Sequence, residues 1–346
     1  MTFPKNTRLT PSPSLTIFGA GSFGTALAET FQKSGFSCCL WGRNDALMQT
    51  IKITQKNTTY LPTIPLNPDI LYTSDLHVAT AHSQHWIMAI KAPAVPGLMH
   101  TLSAWVTKET RVIIAAKGFD NVNDQLLHHA LTSIVPYEQI LALSGPSFAI
   151  ELAAGQQTAL VLAGQHEAET QALAVQMTTD TLRVYPSHDV TGVLFGGAFK
   201  NILAIGAGIV EGACFGENAR AALVCRGFHE MCQLADKMGA DKNTLFGLSG
   251  LGDLSLTAMS AGLSRNKKFG LLLGQGLQPA EALEKVGATI EGISSVLVAC
   301  ALGQKHDIPL PITQEIAALI AGEKTCDAVM NTLMNRPLPS AEWIAV

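Results

Sequence analysis

Charged residues are scarce in this chain of 346 residues, at 14% of the sequence, against about 25% in an average globular protein. Lysine plus arginine number 23 and aspartate plus glutamate number 27, which leaves a formal net charge of only −4. This balance excludes a surface built to bind nucleic acid or an acidic membrane. A chain with so little charge to cover its surface is expected to self-associate, and we predict a homo-oligomer such as a dimer.

Long uninterrupted apolar runs are also missing. The most apolar stretch, residues 194–216, contains Lys200 and Glu211, so it falls short of the about 18 apolar residues that a membrane-spanning helix needs. Residues 1–13 have no apolar core of the kind found in a signal peptide. We therefore predict no membrane insertion, with residues 1–13 as a loose N-terminal tail and residues 337–346 as a C-terminal tail.

The seven cysteines form no CxxC pair, and their odd number argues against a disulfide framework. Most of them lie inside apolar runs, so we expect buried thiols in a reducing compartment, which indicates the cytoplasm. His77, His82 and His85 are loosely spaced like metal ligands, but no cysteine or acidic residue completes a site. The sequence therefore predicts no metal, and it contains no nucleophile elbow or Walker loop.

The first half of the chain alternates between strand-like and helix-like segments. From residue 14 to residue 188, short β-rich runs such as 14–18 and 37–41 are followed by helical stretches. This pattern predicts a Rossmann-like α/β domain, with a doubly wound, mostly parallel sheet covered on both faces. From residue 189 to residue 336 the pattern is helical throughout, which predicts a second, all-helical domain for the substrate.

A glycine-rich loop follows the first predicted strand and opens a predicted helix. Its glycines, Gly19, Gly21 and Gly24, form a GxGxxG motif. In this motif the first glycine permits a tight turn, the second lets the backbone approach a pyrophosphate, and the third packs the helix on the sheet. The helix N-terminus offers N–H groups to the anion. A purely structural turn is the alternative, but the strand–loop–helix context favours dinucleotide binding.

The end of the second predicted strand bears on which dinucleotide binds. An NAD site usually places an acidic residue about 20 residues beyond the loop. Here Arg43 stands near that position, and Asp45 follows slightly later. A guanidinium suits a 2′-phosphate, so the sequence favours NADP(H), while NAD(H) stays open if the loop brings Asp45 to the ribose. A surface arginine without a ligand is the structural alternative for Arg43.

Lys200 is the leading catalytic candidate on residue chemistry alone. It lies in the apolar helical run GGAFKNILAIGAG, with Asn201 beside it. A lysine in such surroundings must extend to solvent, pair with an acid or face a polar cleft. Burial lowers the pKa of an ammonium, which makes the residue a candidate general acid and base. A structural ion pair is an equally good interpretation at this point.

Other polar groups occur where a ligand site would need them. Asp253 follows a glycine-rich loop, so it could accept from a substrate hydroxyl or cap a helix. Residues 264–266 (SRN) precede two lysines, and they predict an anion site if a helix begins there, or otherwise a solvated basic turn. Lys117 and residues 145–147 each follow a predicted strand, at the carboxyl edge where open α/β sheets bind ligands.

Taken together, these segments resemble the bacterial-type NAD(P)-dependent sn-glycerol-3-phosphate dehydrogenase family. The resemblance covers about residues 14–335 and rests on GAGSFGTALA, GPSFAIE, GGAFKNILAIGAG, FGENARAALVCRGFHEM, GLSGLGDLSLT and SRNKKFG, which occur in family order. It implies NADP(H) or NAD(H) as cofactor. It also implies reversible hydride transfer between this cofactor and dihydroxyacetone phosphate, which gives sn-glycerol 3-phosphate for phospholipid synthesis.

The resemblance also implies roles for individual residues, with Lys200 as the proton acceptor. The expected cofactor contacts are Gly19, Gly21, Ser22, Phe23, Gly24, Arg43, Lys117, Ala149, Arg265, Thr289 and Glu291. The expected substrate contacts are Lys117, Gly145, Ser147, Lys200, Asp253, Ser264, Arg265 and Asn266.

Two segments depart from the family pattern. Lys91-Ala92-Pro93-Ala94 stands where members often have Val-Pro-Ser, so a hydroxyl is lost and a charge is added near the cofactor. Thr289 replaces a common valine. Two other functions also stay open: a related two-domain dehydrogenase of hydroxyacyl or sugar-acid substrates, and a non-catalytic dinucleotide sensor that has no need of Lys200.

Overall fold

The structure is a computed structural model, and it describes residues 13–260 and 262–337. Its strands are β1 (Ser14–Phe18), β2 (Ser37–Trp41), β3 (Lys56–Asn57), β4 (Leu61–Pro65), β5 (Leu71–Thr73), β6 (His85–Met88), β7 (Arg111–Ile114), β8 (Phe119–Asp120), β9 (Gln125–Leu126), β10 (Ile140–Ser144), β11 (Thr158–Ala163) and β12 (Leu182–Ser187).

The helices lie between and after these strands. They are α1 (Ser22–Lys33), α2 (Asp45–Thr54), α3 (Leu76–His82), α4 (Val95–Leu102), α5 (Leu127–Leu131), α6 (Ala149–Ala153), α7 (Glu167–Met177), α8 (Val190–Gly212), α9 (Glu217–Lys237), α10 (Lys242–Phe246), α11 (Asp253–Met259), α12 (Arg265–Gly274), α13 (Pro279–Val286), α14 (Glu291–Lys305), α15 (Pro311–Ile320) and α16 (Cys326–Met334).

Eight strands form the main sheet, in the order β12-β11-β10-β7-β6-β1-β2-β5. The adjacent strands β5, β2, β1, β6, β7 and β10 are parallel to one another. Strand β11 is antiparallel to β10, and β12 is parallel to β11. The predicted doubly wound, mostly parallel sheet is therefore confirmed. Strand β1 lies between β2 and β6, so the order of the strands reverses there, and the crevice at their carboxyl ends is where such sheets bind ligands.

Both faces of the sheet are buried, which explains why its strands read as apolar runs. Ile17 and Ile87 pack on the α1 face, while Phe18, Trp86 and Val112 pack on the other face. All five side chains are fully buried. The sheet is therefore covered on both faces, as its position between two layers of helices requires.

Helix α8 is the core of the helical part. By length and hydropathy alone it could cross a membrane, with a mean hydropathy of 1.8, but the whole of that window is buried inside the protein. Helices α9, α11, α12 and α14 pack around it. The apolar character of α8 therefore reflects a central position in a helical bundle, and Lys200 lies in the middle of this helix.

Helices α8 and α12 are in backbone contact through glycines. A Cβ atom at Gly208 would lie 2.1 Å from the carbonyl oxygen of Lys267, and one at Gly270 would lie 2.0 Å from that of Ile205. Any larger residue would push the helices apart, because these atoms belong to the backbone and cannot move aside. This contact holds the beginning of α12 at a fixed distance from Lys200.

The cysteine expectation is only partly right. Cys38, Cys39 and Cys232 are buried, whereas Cys214 and Cys225 are exposed, and all seven thiols are free. Cys214 lies in the turn between α8 and α9, and Cys225 lies on the outer face of α9. Apolar neighbours in the sequence do not imply that a residue on the outer face of a helix is buried.

Strand β12 ends at Ser187 and helix α8 begins at Val190, while the domain limits 14–188 and 189–336 stay a prediction. Apart from residues 13 and 337, the predicted N-terminal and C-terminal tails lie outside the described residues.

Candidate active site

The glycine-rich loop has the shape that a dinucleotide requires. Gly19 follows β1 with φ +128°, a conformation that favours glycine. A Cβ atom at Gly24 would lie 1.9 Å from the carbonyl oxygen of Gly19, whereas one at Gly21 would meet nothing within 4 Å. The loop is therefore closed against the sheet at Gly24 and open at Gly21, where the N-terminus of α1 begins. This open N-terminus fits a pyrophosphate.

Ser22 and Phe23 form the first turn of α1. The Ser22 hydroxyl donates to the carbonyl oxygen of Tyr60 at 2.7 Å. The ring of Phe23 lies with its centroid 5.6 Å from the ammonium of Lys117. Phe23 therefore connects the dinucleotide loop to the charged centre of the site.

Arg43 and Asp45 have different surroundings at the end of β2. Arg43 is exposed. Asp45 begins α2, and its carboxylate accepts from the Ser74 hydroxyl at 2.5 Å. Both side chains are exposed at this strand end, so Arg43 and the second oxygen of Asp45 are each accessible to the ribose side of a dinucleotide.

The centre of the site is a carboxylate shared by two ammonium groups. Lys200 donates to Oδ1 of Asp253 and to the Thr257 hydroxyl oxygen, the latter at 2.9 Å. Lys117 donates to Oδ2 of Asp253 at 2.8 Å and to the carbonyl oxygen of Gly145 at 2.9 Å. Asp253 thus uses both oxygens to hold the lysines, and its predicted contact with substrate stays a prediction.

Three separate parts of the chain bring these groups together. Lys117 follows β7 at the carboxyl edge of the sheet, and Lys200 projects from the middle of α8. Asp253 is the first residue of α11, directly after the π-helical turn Leu248–Gly252. Thr257 lies one turn further along α11 and donates to the Asp253 carbonyl oxygen at 2.6 Å. Sequence analysis missed Thr257, although the i, i+4 spacing from Asp253 places both residues on one face of a helix.

The surroundings of Lys200 make it a proton-transfer group. The pKa of Lys200 is lowered to about 8, mainly by burial, while the carboxylate of Asp253 opposes this effect and the charge of Lys117 adds to it. Such a lysine exchanges its proton near physiological pH, whereas an exposed lysine holds it until about pH 10.4. The geometry therefore supplies a general acid and base at the junction of the sheet and the helical bundle.

A chain of three amide groups connects this centre to the other helices. The side-chain amide of Asn201 donates to the carbonyl oxygen of Lys117 at 3.2 Å. Asn266 donates to the Asn201 side-chain oxygen at 2.9 Å, and its own oxygen accepts from the Gly292 backbone N–H at 3.0 Å. The beginnings of α12 and α14 are thereby held against α8.

The SRN segment does begin a helix. Ser264 caps α12 by accepting from the Lys267 N–H at 3.2 Å, and Arg265 and Asn266 form its first turn. Lys267 does not extend the anion site, because its ammonium pairs with Glu211 at 2.8 Å and donates to the Ser260 carbonyl oxygen at 3.1 Å. The exposed cations at this helix start are Arg265 and Lys268.

Glu291 lies at the first position of α14, close to several cations. Burial raises the pKa of its carboxyl group, and Arg265, Lys200, Lys117 and Lys91 oppose this effect in that order. A carboxylate among these cations belongs to the same cleft. Thr289, two residues earlier, is exposed.

The remaining predicted contacts lie after β10. The Ser147 hydroxyl donates to the carbonyl oxygen of Gly145 at 3.0 Å, so it lies beside the atom that holds Lys117. Ala149 opens the short helix α6. Within the described residues, no group of three or more histidine, cysteine, aspartate or glutamate side chains could hold a metal ion. The ligand contacts assigned to individual residues stay predictions.

Comparison with known proteins identifies the family to which this arrangement belongs. The model described as the NAD-dependent glycerol-3-phosphate dehydrogenase N-terminus matches residues 14–170, and the model for the C-terminus matches residues 189–331. The chain belongs to this family. The resemblance predicted from the sequence motifs is therefore confirmed.

Individual relatives cover nearly the whole chain. Proteins named glycerol-3-phosphate dehydrogenase (NAD(P)+) are 39% identical in Parvibaculum lavamentivorans and 37% identical in Serratia marcescens, each over 94% of this chain and 97% of the relative. The crystal structure of glycerol-3-phosphate dehydrogenase from Coxiella burnetii has a TM-score of 0.88 at 32% identity, covering 94% of this chain and 99% of its own. D-mandelate dehydrogenase shares the fold, with a TM-score of 0.63 at 14% identity.

Proposed function

We propose that this protein is an NAD(P)-dependent glycerol-3-phosphate dehydrogenase, which interconverts dihydroxyacetone phosphate and sn-glycerol 3-phosphate. The observation that carries the proposal is the pair of lysines, Lys117 and Lys200, that share Asp253 beside an open dinucleotide loop. A family member that retains this pair has what the reaction needs: a proton donor and a second cation at the position of the reacting oxygen.

The charge of the cleft suits a phosphorylated substrate. The charges of four cations lower the pKa of the Glu291 carboxyl group, namely those of Arg265, Lys200, Lys117 and Lys91. Asp253, which pairs with Lys117 and Lys200, is the second carboxylate of this cluster. Four cations against two carboxylates leave two positive charges in excess, although the whole chain carries −4. A positive cleft in a negative protein attracts the dianion of a triose phosphate and the phosphates of a dinucleotide.

The bound nicotinamide supplies the redox chemistry, which is the transfer of a hydride between its C4 atom and C2 of the triose. The protein must stabilise the negative charge that grows on the C2 oxygen in the reducing direction. Lys200, as ammonium, donates its proton to this oxygen, and in the oxidising direction its neutral amine accepts the proton from the C2 hydroxyl. Lys117 provides a second positive charge at the same place, and Asp253 holds both ammonium groups in position.

The N-terminus of α12 anchors the substrate phosphate. Ser264, Arg265 and Asn266 surround the first turn of this ten-residue helix, where N–H groups and a guanidinium favour an anion. Anchoring the phosphate away from the reacting carbon aligns C2 with the proton donor, and it selects against polyols that lack a phosphate.

Arg43 favours NADPH over NADH, because an exposed guanidinium at the end of β2 suits a 2′-phosphate. The substrate is a small molecule, and we extend the proposal to a homodimer in the cytoplasm that supplies glycerol 3-phosphate for phospholipid synthesis. Analytical ultracentrifugation tests the dimer.

The decisive experiment measures reduction of dihydroxyacetone phosphate with NADPH and with NADH, followed by absorbance at the nicotinamide band. We expect turnover with both cofactors and a higher kcat/KM with NADPH. Faster reduction of a ketoacyl compound or an oxidised sugar acid would overturn the substrate assignment in favour of a related dehydrogenase of hydroxyacyl or sugar-acid substrates. Cofactor binding without turnover of any phosphorylated triose would indicate a dinucleotide sensor.

A further inference from the structure

We propose that Lys91 is an additional cofactor-binding residue, whose ammonium binds the pyrophosphate of the dinucleotide from the strand next to the glycine-rich loop. The inference rests on the proposed function, because it requires a dinucleotide in this crevice. It concerns the segment Lys91-Ala92-Pro93-Ala94, in which this chain departs from the Val-Pro-Ser that its family often has.

The position of Lys91 follows from the register of the sheet. Strands β1 and β6 are parallel neighbours, with Phe18 opposite Met88. A Cβ atom at Gly19 would lie 2.5 Å from the carbonyl oxygen of Ala89, so the backbone after β6 touches the first glycine of the loop. Lys91 follows two residues later, at the carboxyl edge of β6. Neighbouring strands lie about 4.8 Å apart, a gap that the four-carbon stem of a lysine can cross.

The backbone at Lys91 is held in place although the side chain is exposed. Lys91 caps a 3-10 turn over Ala92–Ala94, and its carbonyl oxygen accepts from the Ala94 N–H at 2.9 Å. Ala92 is buried, and a Cβ atom at Gly118 would lie 2.7 Å from the Cβ atom of Ala92. The turn is thus packed on the segment after β7. An exposed cation on a fixed turn loses little backbone entropy when it binds an anion.

The other lysines near the crevice are already engaged by carboxylates. Lys117 and Lys200 share Asp253, and Lys267 pairs with Glu211. In the part of the chain that the structure describes, no ion pair engages Lys91, although its charge helps to lower the pKa of the Glu291 carboxyl group. A dinucleotide would bring two phosphate charges to the N-terminus of α1, between these groups. Among the described residues, Lys91 is therefore an unpaired lysine at the strand end next to the glycine-rich loop, where its ammonium can bind the pyrophosphate.

The proposal predicts a loss of affinity that depends on the pyrophosphate. The dissociation constant of NADPH is measured by fluorescence titration of the unliganded protein, for the wild type and for Lys91→Ala. We expect the variant to bind NADPH roughly tenfold more weakly, as for the loss of one charge-assisted contact, and with a smaller dependence of Kd on salt. Adenosine 2′-monophosphate, which lacks the pyrophosphate, should bind both proteins equally. Lys91→Arg should retain wild-type affinity for NADPH.

Lys108→Ala is the matched control. Lys108 is also an exposed lysine, with 90% of its side chain accessible, but it precedes β7 at the opposite, amino edge of the sheet. Its removal should leave both dissociation constants unchanged. Thermal unfolding of each variant shows that the fold is retained.

Three results would overturn the inference. The first is an unchanged NADPH affinity in Lys91→Ala, and the second is an equal loss for adenosine 2′-monophosphate. The third is a loss that disappears when Glu291 is replaced by glutamine, which would assign Lys91 to an ion pair with Glu291. These measurements test the role of Lys91 by binding alone. The proposed function is tested separately, and it fails if the wild type does not reduce dihydroxyacetone phosphate.

Discussion

Helix α8 carries two charged clusters of similar composition at different positions. In the middle of the helix, Lys200 and Lys117 share the carboxylate of Asp253. At its last turn, Lys267 and Arg220 share the carboxylate of Glu211, at 2.8 and 2.7 Å. Each cluster contains one buried lysine, with 7% of the Lys200 side chain exposed and 9% of the Lys267 side chain exposed.

The two clusters differ in the exposure of the acid and in net charge. The side chain of Asp253 is 1% exposed, and that of Glu211 is 34% exposed. Arg220 also pairs with Glu217, so the cluster at the end of α8 balances two cations with two carboxylates. In the central cluster, two ammonium groups share one buried carboxylate. Burial lowers the pKa of Lys200 to about 8, and the charge of Lys117 contributes in the same direction against the opposing carboxylate of Asp253.

The two lysines are similarly exposed, but the carboxylates that hold them differ. Lys267 is as buried as Lys200, but its charge is satisfied by a carboxylate that keeps contact with solvent. Lys200 must share its carboxylate with a second cation, so its protonated form is costly. We infer that the last turn of α8 stabilises the fold and that its middle carries the chemistry. The following variants test this division.

The largest expected effect is on turnover. Lys200→Ala should lower kcat for reduction of dihydroxyacetone phosphate about a thousandfold or more, because the growing charge on the C2 oxygen loses its proton donor. The dissociation constant of NADPH should change little. The matched control is Lys267→Ala, whose kcat should stay within about threefold of the wild type if that lysine is structural. Near-normal kcat in Lys200→Ala would remove Lys200 from the mechanism.

The second prediction concerns stability, and here we expect the Lys267 variant to lose more than the Lys200 variant. Lys267→Met should lower the free energy of unfolding by about 2 kcal/mol, since Glu211 loses a partner and the Ser260 carbonyl loses its donor. Lys200→Met should lower it by less than about 1 kcal/mol, because Lys117 still neutralises Asp253 and the crowding of two cations is relieved. Urea unfolding of both variants measures this difference. A larger loss in Lys200→Met would show that the central cluster also serves mainly for stability.

The sequence predicted the parts of this picture that depend on local pattern. The GxGxxG loop, the strand–helix alternation and the lysine in an apolar helix are all local, and the structure has each of them. The bond between Lys117 and Asp253 joins residues 136 positions apart, and no local pattern encodes it. The same limit applies to Lys267. Its place next to Arg265 and Asn266 in the sequence suggested an anion site, but in the structure its ammonium pairs with Glu211.

Exposure was hardest to predict where a helix has one face on the core and one in solvent. Cys225 lies in the apolar run AALVC of α9 but on the outer face, while Glu230 of the same helix is buried. The Glu230 carboxylate accepts from the N–H groups of Ile312 and Thr313, at the start of α15. A buried acid that caps a distant helix becomes evident only when the packing of the two helices is known.

The smallest expected effect is a shift in pH dependence. In the reducing direction Lys200 must be protonated, so kcat/KM should fall about tenfold per pH unit above its pKa of about 8. In the oxidising direction the neutral amine is required, and kcat/KM should rise through the same range. Lys117→Met removes a cation that lowers the Lys200 pKa, so its normalised profile should shift to higher pH. Lys267→Met lacks this connection and should keep the wild-type midpoint. A midpoint that does not move in Lys117→Met would show that the shared carboxylate does not set the proton affinity of Lys200.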